Sequence, residues 1–210
     1  NYKKIKDYFI NYGFNEVFTN SLVNSNLKTN SFSLNLKNPL NKEINTLRTS
    51  MFPRLFEVMV LNLKSGFNNC NFFEMGRVFK ISENKIIEQD KLSGIFQSKF
   101  LSTNKKDDLD WFKIKGFFEM FLSIFGYTNI EISTIQQKTI YFHPTRSIQF
   151  KINKKVLGSF GEVNPMVEEF RGIKTPIYLF EFNLGYFKNW RMKNDIKTYN
   201  EYSKYPSITR

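Results

Sequence analysis

The stretch FFEMGRVFK, Phe72 to Lys80, carries one glutamate, one glycine and one arginine through an otherwise apolar run. Its aromatic and aliphatic content reads as a core strand over about residues 71 to 81. A charge pair in such a strand has two readings. Glu74 and Arg77 form a buried or edge ion pair across the strand, with Gly76 marking a bulge or a close backbone approach, or they contact a phosphate, which asks for more than one arginine.

Outward from this strand the chain reads as short elements of both kinds. Downstream, SENKIIEQDK is a polar connection, a hairpin tip, leading to a second strand at about 91 to 97. Upstream, Pro53 opens a helix to about Lys64, with Thr49 or Ser50 as N-cap and Gly66 as the stop. That helix has so little polar face that it should be buried on most sides. FSLNL, with Phe32, Leu34 and Leu36 alternating, and EVFTNSLV read as strands. At the start, Tyr2, Ile5, Tyr8, Phe9 and Tyr12 fall at helical spacing, and Gly13 closes the helix. Its aromatic face suits either a partner protein or the chain's own sheet.

The longest helix is expected from Asp107 to Phe125, where Asp107, Asp108 and Asp110 suit the N-terminal dipole or, alternatively, a Mg²⁺ ion. Further strands are expected near 130 to 135, 147 to 152, 156 to 163 and 177 to 184. Asn164-Pro165 should open a short helix to Arg171. Lys188 to Tyr205 is polar and reads as a linker. Strands in hairpins with helices between the clusters predict an α+β domain on a mostly antiparallel sheet, since no regular βαβ alternation is present.

Composition bounds the function. Of the 210 residues 24 are Phe, ample for a core, and alanine is absent while Asn, Lys, Ile and Phe are abundant. Those four share AT-rich codons, which points to a plastid, another organelle or an AT-rich endosymbiont. The formal charge of +12 fits an anionic partner such as nucleic acid, or the same codon bias inflating lysine. With Cys70 as the sole cysteine, no intrachain disulfide and no multi-thiolate zinc site is possible. No apolar run approaches the roughly 20 residues that span a bilayer, and NYKKIKDYF has no signal-peptide core. Both ends read as cut from a longer polypeptide.

Catalytic machinery is sparse. GSFGEV at 158 to 163 is a faint version of a glycine-rich phosphate loop placed in an expected hairpin. His143 in YFHPTRS is the only histidine. With Arg146 it suits acid/base or phosphate chemistry, or else His143 hydrogen-bonds the backbone at a Pro144 turn while Arg146 pairs with a carboxylate.

Taken in order, KIKDYFINYGFNEVFTNSLVN, LKNPLNKEINTLRTSMFPRLFEVMVLNL, FFEMGRVFK, LSGIF, DLDWFKIKGFFEMFL, YFHPTRS, LGSFGEVNP and YLFEFNL resemble the synthetase-like core of the phenylalanyl-tRNA synthetase β subunit. The resemblance covers essentially the whole chain. LRTSMFPRL followed by FFEMGRVF, and HPTRS followed by GEVNP, are its most specific parts. It implies a class II synthetase-like fold over residues 1 to 190 and a linker at 191 to 210, with YPSITR opening an anticodon-binding domain. It also implies an α2β2 heterotetramer that attaches phenylalanine to tRNA(Phe) using ATP and Mg²⁺, in which the α subunit does the chemistry. On this view the segment holds no cofactor or metal of its own, and Tyr2, Ile5, Tyr8, Phe9 and Tyr12 face the α subunit. Arg48, Glu74, Gly76, Arg77, His143, Arg146 and Glu162 are then structural.

The class II pattern also requires an arginine in its second motif, an acid two residues on, and an arginine opening the third-motif helix. Aligned on GRV, Lys80 stands in the place of that arginine and Ser82 in the place of the acid; YLFEFNLGYF has no arginine. Lysine keeps the charge and loses bidentate geometry. Two alternatives stay open. One is a self-sufficient ATP-dependent ligase using Arg48 and Arg77; the other is a stand-alone RNA-binding module, to which Lys151, Lys154, Lys155, Lys188, Arg191 and Lys193 would contribute phosphate contacts.

Overall fold

A computed structural model of the chain describes residues 1–24, 34–39, 44–67, 70–83, 85–97, 111–135, 140–167 and 176–188. Its elements are α1 (Tyr2–Asn11), β1 (Asn15–Glu16), β2 (Leu22–Asn24), β3 (Ile44–Leu47), α2 (Phe52–Lys64), β4 (Asn71–Ser82), β5 (Lys85–Gln97), α3 (Trp111–Ile124), β6 (Glu131–Thr134), β7 (Phe142–Ile152), β8 (Lys155–Val163), β9 (Ile177–Asn183) and α4 (Gly185–Lys188). Seven strands form one sheet in the order β1-β4-β5-β9-β8-β7-β6, and β2 pairs with β3 apart from it. Only β1 runs parallel to its neighbour, β4; all other pairs are antiparallel. The expected α+β class with a mostly antiparallel sheet flanked by helices is thus the observed one.

Period-two alternation sends successive strand residues to opposite faces, and each face has its own core. Phe73, Phe96, Phe150, Phe160, Phe180 and Phe182 pack under α1 and α3, while Phe72, Ile95, Ile177 and Leu179 pack under α2. The first layer is mostly aromatic. Phe9 of α1 stacks on Phe180 at 5.0 Å and 12° and on Phe73 at 5.3 Å and 28°. Gly94 and Gly158 have no room for a Cβ because the rings of Phe180 and Phe182 lie over them. GSFGEV is therefore an interior strand in which Gly158 admits the Phe182 ring and Gly161 the close approach of Ser147 on β7, and its phosphate-loop reading falls away.

The helices end as their sequences imply, at Gly13, Gly66 and Gly126 with φ of 83°, 85° and 73°. Other boundaries differ. EVFTNSLV is not one strand: Glu16 pairs with β4, then the chain leaves to make β2. The expected turn KIIEQDK is strand, pairing residue by residue with Gly76 to Ser82. It escapes a hydrophobic-pattern reading because this outer part of the β4/β5 ribbon lies beyond β9 and has no sheet neighbour on its β5 side. Gly76 accordingly marks no bulge, since the β4/β5 register is unbroken. Helix α2 begins at Phe52 with Met51 at the N-cap, although the Ser50 hydroxyl accepts the Phe52 N–H at 3.2 Å. It is also less buried than expected: Phe52, Leu55, Phe56 and Met59 face the sheet while Leu61 stands 67% exposed.

Helix α3 is described from Trp111, so Asp107, Asp108 and Asp110 lie outside the described residues, as do Phe32 and most of 165 to 171. Asn164 makes the expected local bonds, its side chain and carbonyl accepting the N–H groups of Met166 and Val167. The expected linker from 189 onward, including the 190/191 domain boundary, also lies outside the described residues.

Candidate functional site

Residues 74 and 77 are three apart on a strand, an odd separation, so their side chains leave opposite faces of the sheet. The expected Glu74/Arg77 pair does not exist, and each has found a different partner. On the α2 face, Glu74 meets Arg48 from the end of β3. The Arg48 Nη1 donates to Glu74 Oε1 at 2.8 Å and to Thr19 Oγ1 at 2.9 Å, its Nε donates to the Arg77 carbonyl at 2.9 Å, and Thr19 Oγ1 donates to Glu74 Oε2 at 2.7 Å. Arg48 is 2% and Glu74 3% exposed. Gly76 is the close approach that makes this possible. A Cβ there would collide with the Arg48 guanidinium and stand 2.9 Å from Met51 Sδ.

On the opposite face Arg77 is half exposed. Its Nε donates to Asp90 Oδ1 at 2.9 Å and its Nη1 bonds Glu88, while Lys188 bonds the other Asp90 oxygen. The hydrogen bond from Lys188, with that from Arg77, holds the Asp90 carboxyl below the usual carboxylate range, and Asp90 in turn holds both cations above theirs. This network rims an open cleft of about 500 Å³ with Met75 and Leu184 among its lining residues. Tyr2, Phe18, Lys6 and Glu16 complete the walls; the Lys6 Nζ lies 2.7 Å from Glu16 Oε1 and 5.7 Å from the Phe18 ring centre.

The expected α1 contact face needs correction. Ile5, Tyr8 and Phe9 are buried inside the chain, with the Tyr8 hydroxyl donating to the Phe117 carbonyl at 2.6 Å. Burial also pushes the Tyr8 phenol far above its ordinary pKa. Of the five, only Tyr2, 41% exposed, and the half-buried Tyr12 keep surface. The residue sequence reasoning missed is Phe18, 80% exposed at the cleft mouth, whose signal was an aromatic inside what read as a strand.

At the far end of the sheet, residues 143 to 146 form a bulge in β7 between the pairs Phe142 to Val163 and Ser147 to Gly161. The His143 Nδ1 accepts the N–H groups of Thr145 at 3.2 Å and Arg146 at 3.1 Å, and Arg146 pairs with Glu162 at 3.0 Å. His143 therefore closes a turn and Arg146 meets a carboxylate, so neither faces the other for acid/base work. Lys151, Lys154 and Lys155 gather at the β7/β8 turn, where Asn153 and Lys154 have φ of 47° and 65°, the signature of a tight hairpin.

A nucleotide triphosphate does not fit this set. All four described arginines are engaged: Arg48 and Arg77 as above, Arg54 with Glu57 and the Leu22 carbonyl, and Arg146 with Glu162. Releasing Arg48 would strand Glu74 in the interior. Lys80 is exposed on the outer ribbon. Among the described residues no group of three or more His, Cys, Asp or Glu is placed to hold a metal ion, and no helix is long and apolar enough to cross a membrane.

The sheet and its flanking helices superpose on the pyrrolysyl tRNA synthetase PylSc of Desulfitobacterium hafniense with a TM-score of 0.64 over 87% of this chain and 64% of that one, at 14% identity. That likeness defines the class as a synthetase-like fold. Residues 1–184 match the family model described as the phenylalanyl tRNA synthetase beta chain CLM domain, and the chain belongs to that family. Two relatives are the phenylalanine-tRNA ligase beta subunit, chloroplastic, of Phaeodactylum tricornutum, 33% identical over 99% of this chain, and the phenylalanine-tRNA ligase beta subunit of Buchnera aphidicola, 29% identical over 96%. The chain spans 30% and 26% of the length of these two relatives.

Proposed function

We propose that this chain is the non-catalytic synthetase-like part of a phenylalanine-tRNA ligase β subunit. It assembles with an α subunit into an α2β2 heterotetramer that attaches phenylalanine to tRNA(Phe) using ATP and Mg²⁺. The observation that carries the non-catalytic role is the Arg48 site: an arginine 2% exposed, paired with Glu74 and bonded through Nε and Nη1 to the Arg77 carbonyl and Thr19, holds β3, β4 and the 17 to 21 segment together and presents almost no surface to a phosphate. The self-sufficient ligase reading loses its two arginines to these ion pairs. ATP and Mg²⁺ then belong to the α subunit.

With Ile5, Tyr8 and Phe9 turned inward, the α subunit is met through Tyr2, Tyr12 and the cleft mouth at Phe18, where exposed aromatics sit beside paired charges. Lys151, Lys154 and Lys155 on the β7/β8 hairpin supply phosphate contacts for tRNA. The chloroplastic relative and the AT-rich composition support the plastid stroma as its location.

The test is purification of the β subunit alone and mixed with its α subunit, with light scattering for mass and pyrophosphate exchange on each fraction. A stable complex with exchange only where α is present is the expected result. Exchange by β alone overturns it, and RNA binding without any α complex favours the stand-alone module.

A further inference from the structure

Across the face of the sheet that carries Glu74, one row of side chains is polar from end to end. The strand registers set Glu74, Ser93, Glu181, Ser159, Gln149 and Ser133 side by side on β4, β5, β9, β8, β7 and β6. Directly opposed residues share a face, so all six leave the sheet in the same direction. The next row, Phe72, Ile95 and Leu179, is the apolar one packed under α2. Within the polar row long and short side chains alternate. Each serine is therefore the floor of a notch beside longer walls.

The notch at Ser93 is closed. That serine has no exposed surface, its hydroxyl donates to Glu181 Oε2 at 3.3 Å, and Lys91 Nζ holds Glu181 Oε1 at 2.7 Å. The notch at Ser159 is open. Ser159 is half-buried, and among the described residues its hydroxyl meets no hydrogen-bond partner. Its neighbour Gln149 is 9% exposed and gives its amide nitrogen to Ser133 Oγ and to the Thr134 carbonyl, both at 3.2 Å, while its Oε1 accepts no bond among the described residues. A side-chain carbonyl so far from water costs stability when it lacks a donor. Threonine or valine would also suit a solvated strand position better than serine. A face that is merely wetted needs neither feature.

What the Ser159 notch offers is acceptors: the Gln149 carbonyl, the Ser159 hydroxyl and the Glu181 carboxylate, whose Oε2 holds only the long Ser93 bond. Adjacent strands stand about 4.8 Å apart, so a group seated over Ser159 is one strand from either wall. A primary ammonium matches this set, with three N–H donors on a compact cation. We propose that the Ser159 notch binds the primary ammonium group of a small amine, with Glu181 supplying the charge and Gln149 and Ser159 the direction. Lys91 competes for the same carboxylate and keeps the affinity modest. The site shares no residue with the α-subunit or tRNA contacts proposed above and does not depend on them.

The test is saturation-transfer NMR on the full-length β subunit with three methyl-bearing probes: methylamine, tetramethylammonium, which has the charge without an N–H, and acetate. Methylamine should show saturable transfer that the other two do not. Ser159→Val, which fills the notch with a strand-favouring side chain, should weaken methylamine binding at least tenfold without lowering the thermal midpoint, and Glu181→Gln should weaken it as much. Lys91→Met, which releases the second Glu181 oxygen, should strengthen it several-fold, a gain that damage to the fold does not imitate. Absence of methylamine binding by the parent, equal transfer to tetramethylammonium, or an affinity unmoved by Ser159→Val and Lys91→Met overturns the proposal. Because the β subunit is assayed without its partner, failure here leaves the proposed function standing, and failure of the α complex leaves this site standing.

Discussion

Arg48 and Glu74 are the residues on which the site turns. Their mutual attraction offsets a large desolvation cost, and removing one leaves the other charged and buried. Arg48→Leu should therefore lower stability by about 3–5 kcal/mol, a typical cost for a broken buried pair, read as a shift in the urea midpoint at unchanged slope. A value within experimental error of zero would mean the pair does not hold β3 to β4. Asp90 behaves differently because it lies near the surface. Its folded pKa is depressed by Lys188 and Arg77, so its contribution is present above the unfolded carboxylate pKa, at about pH 4, and is lost as pH falls through the folded value. Asp90→Asn should thus destabilise the chain at neutral pH, and the gap to the parent should close as melts are taken down through pH 4 and below. A gap that persists in acid would place the loss in packing rather than charge. The strand period alone separates Glu74 from Arg77. It could not name Arg48, 26 positions upstream, because that pairing is made by the tertiary fold.

At the level of elements, α1 shows what a hydrophobic stripe can and cannot say. Its helix and glycine stop are legible in the sequence, but an aromatic face looks the same whether it meets its own sheet or a partner. Phe9 decides the matter, stacked between Phe180 and Phe73 with no exposed surface. Phe9→Ala should cost about 3–5 kcal/mol, the range for truncating a buried aromatic, whereas Tyr2→Ala should move stability by no more than about 0.5 kcal/mol while weakening α-subunit binding. Paired thermal melts and binding titrations check both, and the reverse ranking would return the face to the partner. In the β4/β5 ribbon, the outer half of β5 was not legible as strand. The ribbon there carries Arg77, Glu88 and Asp90 as cross-strand charges where a half-buried strand would alternate apolar and polar residues. Two-residue β1 is shorter than any pattern can reveal.

For the molecule as a whole, hairpin clustering gave the fold class and ordered motifs gave the family, while strand order stayed hidden. The sheet order jumps from β5 to β9, and no local signal encodes a pairing between segments so far apart. Charge is equally mute at this scale. The surplus of lysines is explained as well by codons as by RNA; among the described residues Lys151, Lys154 and Lys155 gather at the β7/β8 turn.

The place of β9 has a consequence for how the domain is born. Of the described strands it is the last to leave the ribosome, yet it lies between β5 and β8, joining the two halves of the sheet. Until it emerges, the nascent chain presents two open strand edges and the phenylalanines that later meet Phe180 and Phe182, a state that invites wrong partners. Among the described strands the keystone is thus set last, and chaperone protection matters most in the interval before it emerges.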